Sequence, residues 1–355
     1  MNSIAEIQYA KAGEVLLAYQ ILGEGEQTLL LVNGFVSHLE CIWEEPRLKD
    51  FLLKLAKHYR LVLFDKRGVG LSERINSEQQ IEDTLEDISV ILATLDCDRV
   101  SLLGVSEGGP ASVLFAATYP HKVDKLMLYG TMPKWCRSFD YPWALSKSQY
   151  STWLEQMIDE WGSPVSLEKF APSQLNNDAF RHWWARALRM ATSPGSLRAT
   201  LNAMQDIDVR PALSHVRAPT LILHRTLDPA VPFAGGRLMA QHIADSQLIE
   251  LSGVDHWWWT ENPQEVLETI HQFMQQTDAS SNLEQASTLT AESLSKRELD
   301  VLKLAKLGYT NQQIADELHL SSGTVKTYSS SIYGKLNAKN RTEAIVIARK
   351  LGLIA

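Results

Sequence analysis

Ser106, Asp228 and His256 are the residues of this 355-residue chain whose types and order could attack a carbonyl. Ser106 lies in Gly104-Val-Ser-Glu-Gly108, preceded by a short apolar run from Arg99 and followed by the apolar helix Ala111–Thr118. A serine with that task must stand clear of its sheet, on a turn too tight for side chains at its neighbours. Glycines at 104 and 108 leave the room, in the G-x-S-x-G spacing of a nucleophile elbow. Asp228 follows the apolar run Thr220–His224 in Leu227-Asp-Pro229, and His256 follows Gln247–Leu251 in Gly253-Val-Asp-His256. Both fall where a parallel sheet presents polar groups, beyond the carboxyl ends of its strands. The chemistry that follows has Ser106 attacking, His256 removing its proton, and Asp228 fixing the imidazole tautomer and stabilising its cation. Backbone N–H groups of Phe35 and Glu107 would receive the oxyanion. Asp255 is a weaker rival for the acid, because a residue adjacent to His256 meets its ring in poor geometry.

The elements that must position these residues alternate. Two short strands are expected in Glu6–Gln20 around the turn at Lys11-Ala-Gly13. A buried strand over Gln27–Val32 ends in Asn33-Gly-Phe35. A helix over Leu48–His58 precedes a strand over Arg60–Phe64, which delivers Asp65-Lys-Arg-Gly-Val-Gly-Leu-Ser72. A helix over Ile81–Leu95 leads to the elbow strand, and Lys125–Tyr129 is the next strand. Strands alternating with helices of this length predict a parallel sheet covered on both faces. From Met132 to Leu213 the texture turns helical and holds six of the ten tryptophans: Trp135, Trp143, Trp153, Trp161, Trp183 and Trp184. Strands then resume, and a helix over Pro263–Gln275 closes the unit.

With the N-G-F turn, the D-x-R-G-x-G-x-S segment, the elbow, Asp228 and His256 in this order, residues 1–277 resemble an α/β-hydrolase. The resemblance implies a doubly wound sheet with a helical cap, about 132–213, inserted after the sixth strand. Two features depart from the pattern. Asn33 stands where many relatives carry histidine, and Trp257-Trp-Trp259 follows His256 directly. The indoles of this block and of the cap either line a pocket, which is typically apolar, or pack the interior.

Residues 278–290 are small and polar without periodicity, and read as a linker. Beyond them lie helix signals: the capping boxes Ser295-x-x-Glu298 and Thr310-x-x-Gln313, a stop at Gly308, and a turn at His319-Leu-Ser321. A third helix capped by Ser322 runs to about Leu336, and Asn340-x-x-Glu343 starts a fourth that ends near Gly352. Two helices joined by a short turn form a helix-turn-helix. On the third helix Val325, Tyr328 or Ser329, Ile332 and Leu336 share an inward face. Lys326, Thr327, Ser330 and Gly334 point outward, small enough to sink into a major groove, with Tyr333 and Lys335 at the edges.

Residues 291–355 resemble the LuxR-type DNA-binding domain, on Leu294-Ser-Lys-Arg-Glu298, Gly308-Tyr-Thr-Asn311, Thr324-Val-Lys-Thr327 and Asn340-Arg-Thr-Glu-Ala344. The resemblance implies base-facing positions at Lys326, Thr327 and Ser330 and a phosphate contact at Arg341. It also implies a homodimer through the fourth helix, where Ala344, Ile345, Ile347 and Ala348 offer small and apolar side chains. Ser330 replaces a longer, often basic residue.

Composition bounds these readings. Hydrophobic and charged contents of 45% and 21% are globular values. The net charge of −8 conceals an asymmetry. From Ala291 onward there are ten Lys/Arg and six Asp/Glu, a net of +4, which leaves −12 on the remainder. An acidic body repels nucleic acid and a basic tail can bind it. The three cysteines, odd in number and far apart, suit a reducing cytoplasm. Met1–Lys11 lacks the basic start and apolar run of a signal peptide, and no stretch is long and apolar enough to span a bilayer. No ligand-spaced cluster calls for a metal, and no cofactor is expected. The combined expectation is a cytoplasmic regulator that binds double-stranded DNA. Its hydrolase-like domain binds, and can hydrolyse, a small and largely apolar ligand. The alternative is a working serine esterase with an appended DNA-binding tail.

Overall fold

The computed structural model describes residues 5–75, 79–276, 294, 296–318, 320–336, 338, 340–350 and 353–354. Strands β1 (Gln8–Ala12) and β2 (Val15–Leu22) form an antiparallel hairpin turning at Gly13, whose φ of 61° suits a residue without Cβ. The later strands are β3 (Thr28–Val32), β4 (Arg60–Phe64), β5 (Val100–Val105), β6 (Val123–Tyr129), β7 (Thr220–Arg225) and β8 (Ser246–Leu251). Among the described residues they build one eight-stranded sheet in the order β1-β2-β4-β3-β5-β6-β7-β8. Pairing is parallel from β4 through β8, and β2 joins β4 antiparallel. The runs read as continuous apolar strands are buried along their whole length in β3 and β5, because helices cover both faces.

Alternation along each strand sends neighbours to opposite faces. Leu29, Leu31, Leu103 and Val105 enter one core, covered by α1 (Pro46–Ala56), the cap, and the closing helix Pro263–Gln275. Leu30, Val32 and Leu102 enter the other, covered by α2 (Ile81–Thr94), α3 (Gly108–Thr118) and the helix Phe233–His242. The cap follows β6, as expected, and carries α4 (Lys147–Asp159), α5 (Leu167–Phe170), α6 (Asp178–Ala191) and α7 (Pro194–Met204). Three of these helices, α4, α6 and α7, start on side-chain caps at Ser146, Asn177 and Ser193. After β7 and β8 come α8 (Phe233–His242) and α9 (Pro263–Gln275).

The C-terminal unit contains α10 (Lys296–Lys306), α11 (Asn311–Leu318), α12 (Ser322–Lys335) and α13 (Arg341–Lys350). It has a core of its own, in which Val325, Ile332 and Leu336 of α12 meet Val301, Leu302, Ile314 and Ala315. The expected inward face of the third helix is therefore the one that packs. Ala344 and Ala348 of α13 are also fully buried in this core, leaving Ile345 and Ile347 partly exposed. The capping pair at Thr310 and Gln313 forms in both directions, at 2.8 and 3.3 Å. The cap of α12 is Ser321, not Ser322: its Oγ accepts from Thr324 N at 3.0 Å, one residue earlier than the spacing suggested. The linker expected at 278–290, Ser295, His319 and Gly352 lie outside the described residues.

Candidate functional site

Ser106 sits at φ 53° between β5 and α3, one of few non-glycine residues held in the left-handed region. That strain persists where the surroundings over-determine the turn. A Cβ at Gly104 would lie 2.5 Å from Ser112 Oγ, and one at Gly108 would lie 2.1 Å from the Val32 carbonyl oxygen. The flanking glycines are thus required by β3 and α3 crowding the elbow from both sides. Glu107 is the N-cap residue of α3, so its backbone N–H lies at the positive end of the helix dipole. The Asn33-Gly-Phe35 turn runs alongside: a methyl group at Gly34 would be 3.5 Å from Ser106 Cβ and 3.8 Å from Glu107 N.

Asp228, in the loop after β7, accepts from Ala230 N at 2.8 Å and Val231 N at 3.0 Å through Oδ1. Its Oδ2 lies 2.7 Å from His256 Nδ1. Burial pushes its carboxyl upward, but the charge and hydrogen bond of His256 outweigh that and hold it below the usual carboxylate range. His256 Nε2 is buried, has no protein hydrogen-bond partner among the described residues, and its ring lines the same cavity as Ser106. The rival Asp255 points elsewhere, receiving Ser173 N at 2.9 Å and Ser173 Oγ at 2.5 Å from the cap. His256 N adds a bond to Phe170 O at 2.9 Å, so the histidine loop fastens the cap.

Several positioning residues carry no role in the sequence reading. Asp65, fully buried, receives Ser37 Oγ, Leu39 N at 3.1 Å and Leu71 N at 2.9 Å, which ties the Asn33 turn to the loop after β4. Burial dominates its carboxyl and pushes it upward despite those donors. Gly70 is the residue that lets the loop close: at φ 56°, its Cβ would meet Asp65 Oδ2 at 2.0 Å. Lys66 forms a largely buried ion pair with Glu107 directly beside the elbow. The buried Arg225 guanidinium donates to the Ser252 and Glu261 carbonyls, while Glu261 Oε2 receives Val254 N and Asp255 N, each at 2.7 Å. Together they fix the loop that carries His256. The signal for Asp65 and Lys66 was their place in the D-x-R-G segment; Arg225 and Glu261 gave none.

Two cavities flank Ser106. One, of about 100 Å³, is lined by His38, Trp183, Trp184, His256 and the Trp257–Trp259 block; burial pushes the His38 imidazole below its usual range. The other, of about 110 Å³, is lined by Met132, Trp135, Tyr150, Trp153, Lys169 and Phe170. The tryptophans therefore do both things. Trp257 stacks on Trp259 at 5.4 Å and meets Trp184 at 4.7 Å, and Trp258 packs on Phe51 of α1 at 4.5 Å. Trp143 and Trp161 line neither cavity. Among the described residues, no three His, Cys, Asp or Glu side chains gather as metal ligands, and no helix is long and apolar enough to cross a membrane.

In the C-terminal unit, Lys326, Thr327, Ser330 and Gly334 lie on an α12 face turned away from its own core, a face on which Thr327 is buried and the other three are partly exposed. It rests on α3 and on the helical turn Arg210–His215, and Thr327 is 8% exposed. Lys335 is drawn to the buried Glu298 at 2.8 Å, which also receives Ser331 Oγ at 2.6 Å. One guanidinium nitrogen of Arg341 donates to the Ala305 and Tyr309 carbonyls near the end of α10.

Comparison with known proteins agrees with this division. Residues 27–263 match the family model of the alpha/beta hydrolase fold, and residues 292–348 match that of bacterial regulatory proteins, luxR family. The AB hydrolase superfamily protein YisY of Bacillus subtilis is 25% identical over 275 residues, 75% of this chain and 98% of that protein. A pimeloyl-[acyl-carrier protein] methyl ester esterase of Nitrosospira multiformis is 27% identical over 273 residues, 74% of this chain and 99% of the relative. Among solved structures, a bromoperoxidase from Bacillus anthracis superposes with a TM-score of 0.66 at 23% identity, covering 76% of this chain and all of that one. The chain belongs to the α/β-hydrolase fold family and joins that fold to a C-terminal domain of the luxR family of bacterial regulatory proteins.

Proposed function

We propose that this protein is a DNA-binding transcriptional regulator whose hydrolase domain binds, and can hydrolyse, a small and largely apolar ester. One observation carries the ligand half of this reading: Ser106 and His256, the latter bonded to Asp228, border a tryptophan-lined cavity. In this reading Ser106 Oγ attacks the ester carbonyl as His256 Nε2 takes its proton, and the Phe35 and Glu107 N–H groups receive the oxyanion. The proton passes to the departing alcohol, and water then releases the acid from Ser106 by the same route. Asp228, already favoured in its charged form, stabilises the imidazolium. The DNA half rests on the luxR-family match over 292–348. Lys326, Thr327 and Ser330 read base edges, Arg341 holds a phosphate through its remaining N–H groups, and the protein works as a homodimer in the cytoplasm.

The cavity shared by Ser106 and His256, with Asp228 bonded to the histidine, also favours a second reading, a working serine esterase with an appended DNA-binding domain. Intact mass after fluorophosphonate treatment tests the site. A single adduct in the wild type, absent from Ser106→Ala, is expected. A folded wild type that takes no adduct would remove the esterase reading and the hydrolytic step, leaving a receptor to be pursued by thermal shift. Multiple turnover of short-chain esters by a chain that binds no DNA would overturn the regulator.

A further inference from the structure

His38 borders the cavity of about 100 Å³ beside Ser106, and one of its two ring nitrogens is spent on the fold. Nδ1 accepts from Glu40 N at 3.2 Å and Cys41 N at 3.4 Å, just ahead of the helical turn Cys41–Glu44. A nitrogen that accepts N–H groups carries no proton, so the proton of this ring sits on Nε2. Burial also pushes the imidazole below its usual range. His38 is 3% exposed, and its Nε2 has no protein partner among the described residues. A buried donor in that position is satisfied by whatever fills the cavity.

The rest of the wall offers an anion little. Among the described residues no Lys, Arg, Asp or Glu lines this cavity. Trp183 and Trp184 spend their indole N–H groups on the Cys41 and Val165 carbonyls, at 2.9 and 3.1 Å. Ser37 donates to Asp65, and burial pushes the Cys41 thiol up to about 11. A carboxylate here would lose its hydration without meeting a cation, so the acceptor that suits His38 is an uncharged oxygen. The second cavity beside Ser106 differs, since Lys169 lines it.

The two cavities also differ in their place along the reaction. His256 lines the His38 cavity and not the other. In the proposed hydrolysis His256 Nε2 returns its proton to the departing alcohol, so the alcohol half of the ester lies on the His256 side.

We propose that His38 is a ligand-binding residue whose Nε2–H donates to an uncharged oxygen (ether, hydroxyl or carbonyl) in the alcohol half of the ester. This assignment rests on the reading of Ser106 and His256 as an ester-cleaving pair. It narrows the substrate class from apolar esters to esters of short, oxygen-bearing alcohols. An alkyl chain of equal length leaves the donor unmet, and a site built to hydrogen-bond an oxygen discriminates against the analogue that lacks it.

Two substitutions separate a bond to the ligand from support of the turn. His38→Asn keeps an acceptor for Glu40 N and Cys41 N, because Oδ1 takes the place of Nδ1, but it has no atom at Nε2. His38→Gln carries an amide N–H to the place of Nε2 and gives up the acceptor. Both are made in full-length Ser106→Ala protein, where binding needs no turnover. Tryptophan fluorescence reads ester affinity, since Trp183, Trp184 and the Trp257–Trp259 block line the cavity. The probes are 2-methoxyethyl and 3-methoxypropyl butanoate, compared with butyl and pentyl butanoate. Taking the ratio of ether to alkyl affinity cancels the difference in hydrophobicity when proteins are compared.

For at least one pair, that ratio is expected to fall about tenfold in His38→Asn and to stay within about twofold in His38→Gln. His38→Ser, which caps the turn the same way, serves if asparagine does not fold. A ratio unchanged in His38→Asn for both pairs, or lost in His38→Gln as well, would overturn the assignment. A fall in His38→Asn, with a wild type that hydrolyses no ester and takes no fluorophosphonate adduct, would support the His38 contact and bring down the hydrolytic step instead. Absence of binding by all four esters would overturn both.

Discussion

The chain's two candidate sites differ in how far apart their parts lie. Ser106, Asp228 and His256 come from three loops between positions 106 and 256, and each is held by groups from elsewhere in the chain. Gly104 and Gly108 admit β3 and α3 to the elbow, Val231 N and Ala230 N aim Asp228, and Arg225 with Glu261 fixes the His256 loop. Lys326, Thr327 and Ser330 fall within five consecutive positions of α12, and their spacing follows from helix geometry alone. The first site therefore breaks when a distant support is removed. The second is one stretch of a single helix, which packs on α3 and the Arg210–His215 turn.

Three substitutions sharpen this contrast. The largest effect is expected from Asp228→Asn, which leaves the loop geometry but removes the charge facing His256. Hydrolysis of a short-chain chromogenic ester should fall by about ten-thousand-fold in kcat, with duplex binding unchanged. A loss below tenfold would remove Asp228 from the proposed role.

Asp65→Ala comes next. It strands Ser37 Oγ, Leu39 N and Leu71 N in the interior, at a cost on the order of 3 kcal/mol. All ten tryptophans lie in the hydrolase domain, so denaturant unfolding followed by their fluorescence reads that domain alone. An unchanged midpoint would show that the Asn33 turn is held by other contacts.

Lys326→Ala should have the smallest effect. It should weaken duplex binding and lower the slope of log affinity against log salt by about 1. The fluorophosphonate adduct on Ser106 should be unaffected. An identical salt slope would place the contacting cation elsewhere on the domain.

Much of this architecture was legible in the chain. The apolar runs of β3, β4 and β5 announce strands buried on both faces, and the alternation with α1, α2 and α3 announces a parallel sheet. Motif spacing marks Ser106, Asp228 and His256 as a set. The roles of Asp65 and Arg225 were hidden because each acts through partners more than twenty residues away, Ser37 and Leu39 for the first and Ser252 for the second, while Glu261 folds back on Val254 and Asp255 through a loop with no regular period. The preference for Asp228 over Asp255 rested in the sequence on adjacency alone; the loop paths send the first to His256 and the second to Ser173.

The C-terminal unit divides the same way. Its helices, the Thr310–Gln313 cap and the inward face of α12 follow from contacts within a few residues, where helical period and capping chemistry act. Which way Ala344 and Ala348 turn, and what covers Thr327 and Gly334, depends on surfaces brought together by folding. The same small side chains that would suit a DNA groove also suit the close approach of α3, and composition cannot distinguish two partners that ask for the same shape. The packing of α12 against Thr118 settles which of them it meets in this conformation.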